Sequence, residues 1–151
     1  MANYSASPVP SQIVKTLFDN NWDTKEGILP KPSFIDVNEA LDRRARADIR
    51  QADQIIIRVD TPAEEETPIG NWTYGNRIVR VLLEIYTNTN RQRLFDLQAE
   101  IRRICHAFRH TTPNYQRIQY KTFNELTQEN INIWTGRVII ELVNSAVLLE
   151  T

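Results

Sequence analysis

RIVRVLLEIYT at 77–87, NTN at 88–90 and RQRLFDLQAEIRRICHAFRH at 91–110 read as one strand passing through a cap into one helix. Every second residue of the first piece, Val79, Val81, Leu83 and Ile85, is aliphatic, which gives a strand one wholly apolar face. Ile78, Arg80, Leu82, Glu84 and Tyr86 take the other face, too polar for a second core and too apolar for open water. That mixture predicts a surface that something covers. Asn88, Thr89 and Asn90 carry side-chain oxygens able to accept the first free amides of a helix. Beyond them Leu94, Leu97, Ile101, Ile104 and Phe108 recur at steps of three and four, an amphipathic stripe of about four turns. Over 91–109 the arginines at 91, 93, 102, 103 and 109 outnumber Asp96 and Glu100, so the outer side of this helix reads as net +3. Pro113 prevents its continuation.

At 151 residues the chain suits one domain, able to remove roughly two-thirds of its extended surface from water without covalent staples. A hydrophobic share of 41% and a charged share of 25% fit an ordinary globular domain. The net charge of -1 excludes bulk attraction to nucleic acid or acidic membrane, leaving only local patches. Cys105 is the single cysteine, so neither an internal disulfide nor a cysteine-cluster metal site is available. No apolar run reaches the roughly 18 residues of a membrane span, and Met-Ala-Asn-Tyr-Ser is no signal peptide. The expected setting is the cytoplasm, or something assembled there, with no membrane partner. Arginine outnumbers lysine 14 to 4, a bias that suits fixed, partly dry contacts.

Residues 1–10, with Ser5, Ser7, Pro8 and Pro10, read as a flexible arm ahead of a single domain over 11–151. Ser11 can cap a first helix whose Ile13, Val14, Leu17, Phe18 and Trp22 fall on one side, ending near Asn20-Asn21. Gly27, Pro30 and Pro32 break the chain before a short strand at 33–37, and Asn38 can cap a further helical turn or two. Gln54–Asp60 alternates, with Ile55, Ile57 and Val59 inward and Ile56 and Arg58 outward. Thr61–Gly75 then reads as a long hairpin connection, with an acidic tip, Glu64-Glu65-Glu66, and aromatic shoulders, Trp72 and Tyr74. Tyr115–Phe123 alternates loosely. Ile131–Val143 makes the last long strand, with a bend expected at Gly136 and an apolar tail at 146–149.

A short internal echo orders these pieces. Arg80-Val-Leu-Leu-Glu84-Ile85 matches Arg137-Val-Ile-Ile-Glu141-Leu142 position by position, each after a Trp-Thr and a glycine. Two similar halves, helix-hairpin-helix-hairpin, would make an α+β sandwich: one antiparallel sheet with both helices on one face. Arg80 and Glu84, like Arg137 and Glu141, share the side away from the helices. As antiparallel neighbours in register, each Arg would face a Glu across the strands.

Catalytic constellations are absent from this reading. His106 and His110 share a helix face but have no third ligand at zinc spacing, and Cys105 beside His106 is an adjacent pair, not a placed nucleophile and base. Asp60 and Glu84 lack the lysine of a magnesium nuclease, and four glycines show no phosphate-cradling spacing. The expectation is no enzyme, no cofactor and no metal.

The element order over roughly 11–143 resembles the tail terminator proteins of tailed phages and related head-to-tail joining proteins, with 23–52 as an insertion relative to the shortest members. The resemblance implies a structural virion protein at the tail and neck, assembled in the host cytoplasm. It implies a homohexameric ring that caps the tail tube, stops its growth and meets a neck or head-completion protein, with DNA passing through. The expected interface residues are Glu64, Glu65, Glu66, Trp72, Tyr74, Arg80, Glu84, Arg91, Arg102, Arg103, Arg109, Arg137 and Glu141. In the ring, one subunit's Glu64–Glu66 would meet the next subunit's Arg91, Arg102, Arg103 or Arg109. The rival reading is a small nucleic-acid-binding α+β domain using its open sheet face.

Overall fold

The computed structural model describes residues 9–23, 31–36, 53–59, 65–69, 74–112, 115–126 and 133–147. Along the chain these form α1 (Pro10–Asn21), β1 (Ser33–Asp36), β2 (Gln54–Val59), β3 (Glu65–Ile69), β4 (Tyr74–Thr87), α2 (Arg91–Ala107), β5 (Arg117–Glu125) and β6 (Trp134–Val147). The arm up to Pro8, the turns after Asn38, the apolar tail beyond Val147, Glu64 and Trp72 lie outside the described residues.

The sheet runs β1-β2-β4-β6-β5, with β3 added to the first half of β4 beyond the end of β2. All pairings are antiparallel except β1 with β2. The fold is therefore the expected α+β class, a mostly antiparallel sheet with two helices on one face. Those helices bury Val14, Leu17 and Phe18 from α1 and Leu94, Leu97, Ile101, Ile104 and Cys105 from α2. Against them stand Ile55 and Ile57 of β2, Val79, Val81, Leu83 and Ile85 of β4, Ile118 of β5, and Val138, Ile140 and Leu142 of β6. Each such side chain, taken fully out of water, contributes about 1.5–3 kcal/mol.

Several local expectations are corrected. Ser11 does not cap α1; the N-cap is Val9, with no side-chain bond, and Pro10 opens the helix with its preset φ. The Ser11 hydroxyl instead donates to both oxygens of the buried Asp36, at 3.0 Å each, tying α1 to β1. Asn90 does cap α2, its Oδ1 accepting from the Arg93 amide at 2.7 Å. The connection between β2 and β4 is not all loop, because 65–69 pairs with β4 and its Pro68 is tolerated beside Gly75 in an edge position. The last strand extends to Val147, and Gly136 makes no bend: it pairs in register with Ile85 and Glu125. A Cβ there would stand 2.6 Å from the Phe123 ring and 3.1 Å from Leu94. The glycine is required by close packing. The irregularity lies in β5 instead, where Lys121 is the extra residue between Tyr120 and Thr122.

The internal echo is a structural relationship. β4 and β6 lie side by side at the centre, flanked by β2 and β5, and their register centres the two echoed stretches on the Leu82–Ile139 pair, a local twofold of the strands. Among the described residues β1 and β3 have no counterpart in the second half.

Candidate interface: the outer sheet face and the α2–β5 groove

Because side chains alternate along β4 and β6, their residues of one parity all project away from the helices. Across the local twofold, Arg80 stands opposite Glu141 and Glu84 opposite Arg137. Arg58 joins from β2, its Nη2 2.5 Å from Glu84 Oε1, while Arg137 Nη2 approaches the same oxygen at 3.7 Å. Tyr86 Oη donates to Glu84 Oε2 at 2.9 Å. On the other side of the axis Arg80 donates to Glu65 at 2.5 Å and lies 3.3 Å from Glu141, which Lys121 approaches at 3.8 Å. The bond to Glu65 is the chief reason the Arg80 guanidinium is held above its ordinary pKa.

This face is less open than its composition implies. Ile56, Leu82 and Val143 on it are buried, and so are Glu84 and Glu141. The covering includes the arginines themselves: Nε of Arg58, Arg117 and Arg137 is sealed from solvent, so these stems lie flat across the strands. Among the described residues neither helix lies on this side, and the surface is a closed mosaic of guanidinium, carboxylate and aliphatic carbon.

The other expected interface residues separate into groups. Glu65 is not a loop tip; it sits in β3 with its carboxylate on Arg80 of the same subunit. Glu66 and Tyr74 have their backbones paired opposite Arg77 and Ile69. Arg91 forks onto Glu125 with three bonds of 2.8–3.2 Å and stacks over Phe95 at 5.5 Å. Arg103 binds the buried Glu100 and donates to the Asn21 carbonyl at 2.9 Å, clamping α2 to the end of α1. Arg93, counted from sequence on the outer side of α2, is buried against Asp53 at 2.8 Å. Arg102 and Arg109 are exposed.

Arg109 lines a groove where the end of α2 overhangs β5, and Arg102 stands about two turns back along the helix. His106, Arg109, Ile118, Gln119, Tyr120 and Lys121 line it, around a volume of about 220 Å³. The Ile118 amide donates to the Arg109 carbonyl at 2.9 Å, fixing helix end to strand edge. His106 stands edge-on to Tyr120 with 6.4 Å between ring centroids, and Gln98 donates to the Tyr120 hydroxyl at 2.5 Å. Burial pushes the Tyr120 phenol up, against a smaller opposing pull from the Gln98 bond and the Arg102 charge. Cys105 faces the core while His106 faces water, so the two do not form a pair. Among the described residues no group of three His, Cys, Asp or Glu is placed to hold a metal, and no helix is long and apolar enough to cross a membrane.

Sequence reasoning missed Arg58, Lys121 and the whole groove. Arg58 shares the parity of Ile56 and stands opposite Leu82, one diagonal step from Glu84, so strand alignment would have found it. Lys121 carried no such signal, because a bulge sets its position.

The class defined by these features is a two-layer α+β domain whose charge-laced sheet face carries neither α1 nor α2. Comparison of the chain with protein-family models and with curated proteins gives no match.

Proposed function

We propose that the chain is a structural virion protein, a tail terminator that closes into a homohexameric ring on the end of the tail tube and joins it to a neck or head-completion protein. One observation carries this reading: the sheet face opposite α1 and α2, where Arg58, Arg80, Arg137, Glu65, Glu84 and Glu141 form an ordered lattice over Ile56, Leu82 and Val143. Guanidinium forks held by carboxylates on an aliphatic floor suit a protein contact, where arginine and partly dry polar pairs are enriched. The self-paired charges leave little reason for nucleic acid to bind on this face.

We assign the ring contact to the lattice, because two of the four helix arginines expected to meet the acidic segment, and Glu65 of that segment, are held within one subunit. Glu65 is taken by Arg80, Arg91 by Glu125 and Arg103 by Glu100, all within one subunit. The mass of the purified protein by light scattering, alone and with tail tubes, tests the reading. Six times the 17.6 kDa chain is expected on or off the tube, and Arg58→Glu with Arg137→Glu should abolish it. A chain that stays monomeric in both conditions overturns the ring.

A further inference from the structure

Ten arginines lie among the described residues, and their partners divide them. Six hold carboxylates: Arg58 and Arg137 on Glu84, Arg80 on Glu65 and Glu141, Arg91 on Glu125, Arg93 on Asp53, Arg103 on Glu100. Arg77 is engaged as well. The guanidinium groups of Arg102, Arg109 and Arg117 have no acidic partner among the described residues, and all three fall in one segment. Residues 101–124 contain no Asp or Glu, yet hold five of the 18 Lys and Arg and both histidines of the chain. The other residues carry 13 cations against all 19 acids, so 101–124 is an acid-free stretch, in which Arg103 is held by Glu100, Arg117 lies on the outer sheet face and Arg102 and Arg109 keep exposed charges.

The fold turns that segment into a surface. Arg102, His106 and Arg109 recur at steps of four and three and are all exposed, a ridge about 10 Å long down the last turns of α2. Lys121 borders the groove on its β5 side, with its ammonium 3.8 Å from Glu141 of the outer sheet face. Glu100, the last acid before the segment, is buried under Arg103. Glu141 is the carboxylate that reaches this end; it lies 3.8 Å from Lys121 and is shared with Arg80.

We propose that the groove between α2 and β5 binds the phosphodiester backbone of a nucleic acid, through charge and without reading sequence. Arginine forks match phosphate oxygens in shape, and Lys121 adds a cation at the β5 edge. A protein partner would need an apolar anchor in the middle of its contact. Here Ile118 is buried and the rest of the lining is polar. A polyanion needs only charge and donors, and contacts to phosphate position a strand without specifying bases. This inference goes beyond the ring reading and stands without it.

The test is fluorescence anisotropy with a labelled single-stranded oligonucleotide and a duplex of equal length, across a salt series. Each ion contact adds about 0.7 to the salt slope on single strands and about 0.9 on duplex, so Arg102, Arg109 and Lys121 give slopes of about 2 to 3. Arg102→Gln with Arg109→Gln should weaken binding at least tenfold at low salt and lower the slope by about 2; Lys121→Gln alone should lower it by about 1. Arg58→Gln with Arg137→Gln, an equal change of charge on the sheet face, should leave affinity within about twofold. No binding by the native protein at low salt overturns the proposal, as does loss of binding in the sheet-face variant only. Displacement of the oligonucleotide by polyglutamate at equal charge also overturns it, since the ligand would then be carboxylate. Light scattering on the same variants reads the ring separately, so the two conclusions can fail independently.

Discussion

Arg93 sends its Nε to Asp53 Oδ2 at 2.8 Å, joining the first turn of α2 to the residue before β2 across 40 positions of sequence. The same carboxylate accepts from Thr87 Oγ1 at 2.6 Å, and the Asp53 carbonyl accepts from the Ser33 amide at 2.9 Å. One aspartate thus holds the starts of β1 and β2, the end of β4 and the start of α2. Both side chains are about nine-tenths buried, so removing either partner deprives a buried charge of this bond. Asp53→Ala and Arg93→Ala should each cost about 3 kcal/mol in urea denaturation. The double variant should cost much less than the sum, and additivity would show that the two act separately.

Gly136 makes a second prediction, about space. An added methyl group would sit within 2.6 Å of the Phe123 ring, which is itself held edge-on to Phe95 at 5.4 Å. Phe123 is only half-buried and can give way outward, so Gly136→Ala should cost about 1–2 kcal/mol and lower the melting temperature without changing the fold. Adding Phe123→Leu should recover part of the loss. Were backbone freedom the reason for the glycine, that second change would recover nothing.

Glu84 and Arg80 are related positions of the outer lattice with unequal duties. Glu84 serves Arg58, Arg137 and Tyr86 and is buried, whereas Arg80 is about one-third exposed between Glu65 and Glu141. Glu84→Ala strands two guanidinium groups and should cost about 2 kcal/mol, while Arg80→Ala should cost below about 1 kcal/mol because its pairs are screened by water. High salt should narrow the gap between the two variants in denaturant midpoint.

What the residues disclosed in advance follows from periodicity. Val79 to Ile85 and Leu94 to Ile104 announce their buried faces because burial is what the repeat records. The echo at 80–85 and 137–142 even carried the β4–β6 register, since two Arg-x-x-x-Glu strands in antiparallel register present opposite charges to each other. A helical stripe does not say which partner an outward arginine finds. Glu100 lies three residues from Arg103 and could be read, but Glu125 lies 34 from Arg91 and Asp53 lies 40 from Arg93. Glu65 reads as part of a loop tip because Glu-Glu-Thr-Pro-Ile has no alternation and contains a proline. The groove is hidden in the sequence because its two walls meet through tertiary contacts alone, the Arg109–Ile118 bond and those of Gln98 and His106 with Tyr120.

Cys105 supplies the last prediction. Its thiol is buried under α2 and pushed up to about 12, because burial disfavours the thiolate. The unfolded chain releases that proton near the ordinary value of about 8.5, so above it the native state holds a proton that the unfolded state has lost. Stability is therefore complete below about pH 8.5 and falls as pH rises toward the folded value, at up to about 1.4 kcal/mol per pH unit. Tyr120, raised in the same sense by burial, adds to the decline from about pH 10 upward. Urea denaturation at stepped pH should show this slope in the native sequence and a flatter one in Cys105→Ala, whatever the baseline cost of the cavity. A thiol reagent should react with Cys105 only in denaturant. Equal slopes in both proteins, or fast labelling of the folded chain, would place the thiol at the surface and remove it from the core beneath α2.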